Sequence, residues 1–96
     1  MSPDHHQAAR EARIANKQGL HARPVMRFVD MASKYKATIS VANISKRAEP
    51  VDGKSAMQMM LLEATQGSVL RIEARGEDAE AAVTDLAALV ESGFGE

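Results

Sequence analysis

The sequence predicts a two-layer α+β domain, an antiparallel sheet with helices over one of its faces. Three observations carry this. First, Val69 to Arg75 alternates, with Leu70, Ile72 and Ala74 set against Arg71, Glu73 and Arg75, and Ala37 to Ala42 does the same with Ile39 and Val41 against Thr38 and Ser40. That is the period of half-buried strands. Second, Val25, Phe28, Val29 and Ala32, and later Val83, Leu86, Ala87 and Val90, recur at the spacing of one helix face. Third, such segments interleave as strand, helix, strand, strand, helix, strand, helix, with no internal repeat or linker between them.

In chain order, Met1 to Gln7 is polar, holds Pro3 and reads as a flexible N-terminal extension, leaving residues 8–96 as a single domain. His5 and His6 on that extension read as incidental rather than as a metal-binding pair. Ala8 to Ala15 is rich in helix formers. Only Ile14 speaks for a strand, which is placed in the second half of the stretch. The first helix is expected over about Ala22 to Tyr35, with Pro24 in its first turn, where a missing N–H leaves no intrahelical bond unmade.

Asn43 to Ala48 reads as a polar hairpin connection, followed by a short strand at Pro50 and Val51 whose proline marks an edge or a strand end. Asp52-Gly53 then breaks the chain. Ser55-Ala56-Met57-Gln58 has the form of a capping box opening a second helix, with Gly67 as its closing residue. Gly76 ends the clearest strand. Acidic Glu77, Asp78 and Glu80 are expected in the first turn of a third helix, where the dipole favours them, and Gly93 stops that helix.

Composition narrows the function. Ninety-six residues with 45% apolar side chains suffice for one modest core without staples. The aromatics are Phe28, Tyr35 and Phe94, so the core rests on aliphatics, alanine and methionine. The absence of cysteine excludes disulfides and thiol catalysis and fits a reducing cytoplasm. No apolar run approaches 18 residues, so neither a signal peptide nor membrane insertion is expected. Residues 1–54 hold ten Lys/Arg and five Asp/Glu, a charge of +5, and residues 55–96 hold two and eight, a charge of −6. The basic part includes Lys17, Arg23 and Arg27 and suits acidic protein partners. It forms no dense run and has almost no aromatics interleaved, so no nucleic-acid partner is expected.

Gly19-Leu20-His21-Ala22-Arg23-Pro24 is where chemistry concentrates. His21 falls at or next to the N-cap of the first helix, beside unpaired N–H groups and the positive end of the dipole. Such a place accepts anions, and Arg23 adds a planar multi-donor cation suited to phosphate. The same field disfavours a second proton on the ring and leaves a neutral nitrogen free as a nucleophile. A histidine that receives and holds a phosphoryl group fits these features, while a plain helix cap is the bland alternative. No carboxylate stands near His21 in the sequence, which argues against His21 as the base of a hydrolase.

The second helix has more apolar residues than one side can bury: Ala56, Met57, Met59, Met60, Leu61, Leu62 and Ala64. If Met59 and Leu62 point into the core, Ala56, Met57 and Met60 are left facing water as an adaptable docking surface. If all of them are core, no such surface exists. Ser55 is explained by its capping role. A phosphate on it would also sit favourably at a helix start beside that surface, and could block partners without unfolding anything.

Residues 14–96 resemble the HPr family, the histidine-containing phosphocarriers of the bacterial phosphoenolpyruvate:sugar phosphotransferase system. The likeness is carried by Gly19-Leu20-His21-Ala22-Arg23-Pro24, Ala32-Ser33-Lys34-Tyr35 and Lys54-Ser55-x-Met57, supported by Gly67, Gly76-Glu77-Asp78 and the Gly-Phe-Gly-Glu segment. The resemblance implies an open-faced β-sandwich with strand order 1-4-2-3 and three helices on one face. It implies a phosphohistidine at Nδ1 of His21, charged by phosphorylated Enzyme I and discharged to an Enzyme IIA-type domain, with Arg23 pairing with the phosphate. Ala22, Met26, Ala56, Met57 and Met60 match the family's docking surface, and Ser55 matches the serine that HPr kinase/phosphorylase modifies. Implied with these are a cytoplasmic monomer without metal or cofactor, a stoichiometric carrier rather than an independent catalyst, and a part in sugar transport. The alternative on the same fold is a regulatory binding protein that controls enzymes or transcriptional regulators through its phosphorylation state.

Overall fold

The computed structural model describes residues 6–96. Along the chain run β1 (Gln7–Arg13), α1 (Ala22–Ala32), β2 (Thr38–Asn43), β3 (Val51–Asp52), α2 (Ala56–Met60), β4 (Val69–Arg75) and α3 (Ala79–Glu91). β4 occupies the span its alternation predicts and is the hub of the sheet, pairing antiparallel with β1 on one side and β2 on the other. With β3 paired to β2, the order is β1-β4-β2-β3, the open-faced arrangement that the resemblance implies.

The pleat sorts the sheet into two faces. Ala12, Ile39, Val41, Leu70, Ile72 and Ala74 are buried on the helix side, while Thr38, Arg71, Glu73 and Arg75 stand exposed on the other. Phe28 and Val25 of α1, Met59 of α2 and Val83, Leu86 and Val90 of α3 complete the core.

Four local expectations are corrected. β1 is not confined to the second half of its stretch: it starts at Gln7 and stops at Arg13. Seven register positions with β4 outweigh the helix propensity of its alanines. Small Ala8 and Ala12 on β1 leave room for α3, which lies along β1 and β4 and buries its own Ala79, Ala82 and Ala87. The expected extension Met1–Gln7 lies outside the described residues as far as His5, which takes the His5–His6 pairing out of view as well.

α1 ends at Ala32 rather than Tyr35. The Asp78 carboxylate accepts the N–H groups of Lys36 and Ala37 at 2.8 and 2.9 Å, and Lys54 Nζ donates to Tyr35 O at 2.6 Å. These bonds draw the segment out of helical register. The Lys36 N–H, with that of Ala37, holds the Asp78 carboxyl below its usual range against some desolvation. The Tyr35 hydroxyl donates to Asp85, and chiefly that bond pushes the phenol up to about 12.

Gly67 does not close α2. The helix stops at Met60, and Glu63 takes φ +48°, which turns the chain so that Leu62 O can accept from Asn43 Nδ2 and Ala64 O from Leu20 N. Gly67, at φ +89°, instead shapes the turn entering β4, where its N–H reaches Ile14 O.

The capping box is half made. Ser55 Oγ accepts from Gln58 N, but Gln58 Oε1 accepts from Asp52 N, and Ser55 N bonds Asp52 O. The strand β3 is close enough to supply a better donor.

α3 ends as Gly93 predicts. Gly93 N donates to Val90 O and Phe94 N to Leu89 O, the paired bonds of a Schellman end. Phe94 is fully buried, which stabilises the fold by about 2 kcal/mol and fixes where the chain goes next.

Candidate functional site

The site begins with a loop held by an amide. Asn16 Nδ2 donates to Gly19 O at 2.7 Å, and Gly19 N returns a bond to Asn16 O at 3.1 Å. Gly19 adopts φ +68°, and a Cβ there would lie 2.6 Å from Ala64 O, so both conformation and space require glycine. Leu20, buried, then ties the loop to the segment after α2 through its N–H on Ala64 O.

His21 follows as the N-cap of α1, its backbone extended at φ −109°. Its carbonyl accepts from Val25 N, and its side chain makes no capping bond. Pro24 sits in the first turn, as predicted. The N–H groups of Ala22 and Arg23 therefore have no acceptor among the described residues and face the start of the helix.

The imidazole is 38% exposed, and the two nitrogens differ. Nε2 is shielded and lies 3.3 Å from Glu96 Oε1, out of line for a hydrogen bond. Nδ1 has no hydrogen-bond partner among the described residues and, unlike Nε2, is not shut off from solvent. Arg23, 73% exposed, brings Nη1 to 3.7 Å from Glu96 Oε2. Asn16, Lys17 and Gln66 share the surrounding groove with these three residues. A ring with its proton on Nε2, beside a carboxylate, presents the lone pair of Nδ1 to solvent.

Glu96 is the residue that sequence spacing missed: no carboxylate stands near His21 in the sequence, yet the fold brings this one beside its ring. It lies 75 positions away, with a side chain only 20% exposed, and the Schellman end plus buried Phe94 carry it there. The Gly-Phe-Gly-Glu segment was the available signal, since paired glycines around an aromatic mark a fixed turn.

Beside the groove lies an apolar patch. Met57 is 81% exposed, with Met60, Leu61 and Met26 also exposed, whereas Met59 and Leu62 are buried. α2 is therefore not all core: Met59 and Leu62 point inward while Met57 and Met60 face water. Ala22 is exposed, but Ala56 is half-buried and packs against the core, so it does not face water as expected. Leu61 joins the surface instead, completing a 57, 60, 61 helix face that the spacing alone could have revealed. Ser55 is half-buried at the start of α2. Among the described residues no group of three His, Asp or Glu side chains could hold a metal ion. A shallow hollow on the open sheet face, lined by Thr38, Ser40, Arg71 and Arg75, shares no residue with the His21 groove.

Residues 8–92 match the family described as PTS HPr component phosphorylation site. The chain is 38% identical over 86 residues to the phosphocarrier protein HPr of Xylella fastidiosa, covering 90% of this chain and 93% of that one. It is 41% identical over 83 residues to a multiphosphoryl transfer protein of Haemophilus influenzae, covering 86% of this chain but only 17% of that much longer protein. The crystal structure of HPr-C-His from Thermoanaerobacter tengcongensis superposes with a TM-score of 0.84 at 43% identity, covering 93% of this chain and 97% of that one. Sequence motif, strand order and the match over residues 8–92 agree: the chain belongs to the HPr family of the phosphotransferase system.

Proposed function

We propose that this protein carries a phosphoryl group on Nδ1 of His21, taking it from phosphorylated Enzyme I and passing it to Enzyme IIA-type domains. One observation supports this above the others: Nε2 is shielded beside Glu96, while Nδ1 is not shielded in this way and has no hydrogen-bond partner among the described residues. In the transfer, the Nδ1 lone pair attacks phosphorus, the new N–P bond forms, and the donor's bond to phosphorus breaks. With the proton held on Nε2, none has to leave the ring. The chemistry needs positioning and charge stabilisation more than proton transfer. Exposed Arg23 and the N–H groups of Ala22 and Arg23 are the donors in reach of the new phosphate.

Partners dock over the patch of Met26, Met57, Met60 and Leu61, with Ala22 at its edge and Ala56 supporting it from the core side. Methionine suits a surface that must fit one partner after another. The carrier acts as a cytoplasmic monomer in sugar transport, consumed and regenerated in each cycle; among the described residues no helix is long and apolar enough to cross a membrane. The experiment is phosphoenolpyruvate-dependent labelling by Enzyme I. His21→Ala abolishes it on this reading, and undiminished labelling of that variant overturns the proposal.

The placement of Ser55 favours a regulatory layer on the same protein. A phosphate there would stand at the start of α2, whose residues Met57 and Met60 belong to the patch. HPr kinase/phosphorylase is the matching modifier, and transcriptional regulators are the readers of that state. Mass spectrometry of protein from its own cells, separating acid-labile from acid-stable phosphate, distinguishes the carrier state from the regulated one.

A further inference from the structure

We propose that Met57 is an oxidation site that switches the docking patch off, with hydrogen peroxide as oxidant and methionine sulfoxide as the modified state. The proposal rests on the docking role given to the patch above. The chain has no cysteine, so its oxidisable sulfur is all thioether. That sulfur is unevenly placed. Met57 is 81% exposed, Met26 and Met60 are about half exposed, Met31 is packed against the core, and Met59 is fully buried. Among the described residues the three open ones belong to the same apolar surface, two on α2 and one on neighbouring α1.

The step balances without help from the protein. The thioether lone pair attacks one peroxide oxygen, an S–O bond forms and the O–O bond breaks. The second oxygen leaves with its own hydrogen as hydroxide and takes the proton released by the transferred oxygen, giving water and the sulfoxide; sulfur loses two electrons and the peroxide gains them. The product is a polar, chiral group in place of an adaptable apolar one, and methionine sulfoxide reductases reverse it. A partner that must desolvate this sulfoxide loses affinity. His21, Arg23 and Glu96 remain chemically unchanged, so the loss falls on docking and not on the phosphoryl site. Met59 is protected by burial, so the fold survives the same exposure.

The test treats the full chain with graded hydrogen peroxide, maps each methionine by peptide mass, and measures transfer from phosphorylated Enzyme I. Met57 is expected to convert first, Met26 and Met60 next, and Met59 last. KM for Enzyme I is expected to rise about tenfold as Met57 converts, with an unchanged circular dichroism spectrum and full recovery after treatment with both reductases. Met57→Leu, whatever its own starting rate, is expected to lose far less of that rate on treatment. Met57 converting no faster than Met59, or unchanged KM at full Met57 conversion, overturns the proposal. Untreated Met57→Gln separates the two layers. If it transfers like the parent, the docking role itself fails; if it is impaired while oxidised parent is not, oxidation alone is refuted.

Discussion

Glu96 Oε1 stands 3.3 Å from His21 Nε2 while its other oxygen stands 3.7 Å from Arg23 Nη1. One carboxylate thus lies beside both the His21 ring and the Arg23 guanidinium, the two groups that meet the phosphate on the proposed function. Its charge lies on the Nε2 side of the ring, close but out of line for a hydrogen bond. On the proposed carrier role, after transfer it would compete with the phosphoryl group for Arg23 and repel that group.

Glu96→Gln keeps the shape and removes the charge. The carboxylate is near the surface, so its effect is discounted to about 0.5–1 kcal/mol, a shift of roughly two- to fivefold in equilibrium. The phosphorylated form is expected to gain by that factor when the variant is equilibrated with phosphorylated Enzyme I and quenched. An equilibrium that moves the other way would show that holding the Nε2 proton outweighs the repulsion.

Gly19→Ala places a side chain at φ +68° and 2.6 Å from Ala64 O. Strain of this kind costs about 1–3 kcal/mol before the clash is counted. A fall in Tm of roughly 10 °C or more is expected, with slower labelling of His21 in whatever remains folded. Thermal melts beside labelling rates check both, and a variant as stable as the parent would mean that the loop closes on Ala64 only loosely.

Tyr35 is the one tyrosine in the chain, so phenolate absorbance reports it alone. Its midpoint is expected near 12 rather than 10.0 because the neutral hydroxyl donates to Asp85. The sign follows from the raised value. The stabilisation is complete below about pH 10 and is lost as pH climbs through 12. Asp85→Asn is expected to return the midpoint toward 10.0, and a midpoint left near 12 in that variant would assign the shift to burial instead.

Ser55→Ala removes the oxygen that accepts from Gln58 N and should cost about 1 kcal/mol. Ser55→Asp keeps a capping oxygen, so its melting point is expected close to the parent's. The aspartate also sets a negative charge beside Met57, and labelling by Enzyme I should slow severalfold. Equal labelling rates for the two variants would leave Ser55 a cap and nothing more.

Strands with a half-buried pleat were legible residue by residue: β4 falls on its predicted bounds, and Ile39 and Val41 face inward as their alternation says. The N-cap role of His21 was equally plain, because a proline in the first turn and a helical apolar face mark the boundary from both sides. β1 was hard to read because alanine suits either state, and only its pairing with β4 decides. The end of α2 was misread for a related reason. Gly67 is a good helix stop in isolation, but the carbonyls of Leu62 and Ala64 are claimed by Asn43 and Leu20 well before it. Glu96 belongs to the same class, since nothing local links residue 96 to residue 21.

The Asn16–Arg23 loop is closed by Ala64 and faced by Glu96, and among the described residues β1 before it pairs only with β4. Contacts of such sequence separation form late and slowly. A nascent chain that has emerged as far as Arg23 already exposes the imidazole, yet it has no closed loop, no helix start braced against α2 and no neighbouring carboxylate. The surroundings of His21 are therefore complete only once residues 16–23, 64 and 96 have come together. On the proposed carrier role, a copy without these contacts would be a poor acceptor, and phosphate on His21 would also report completed assembly.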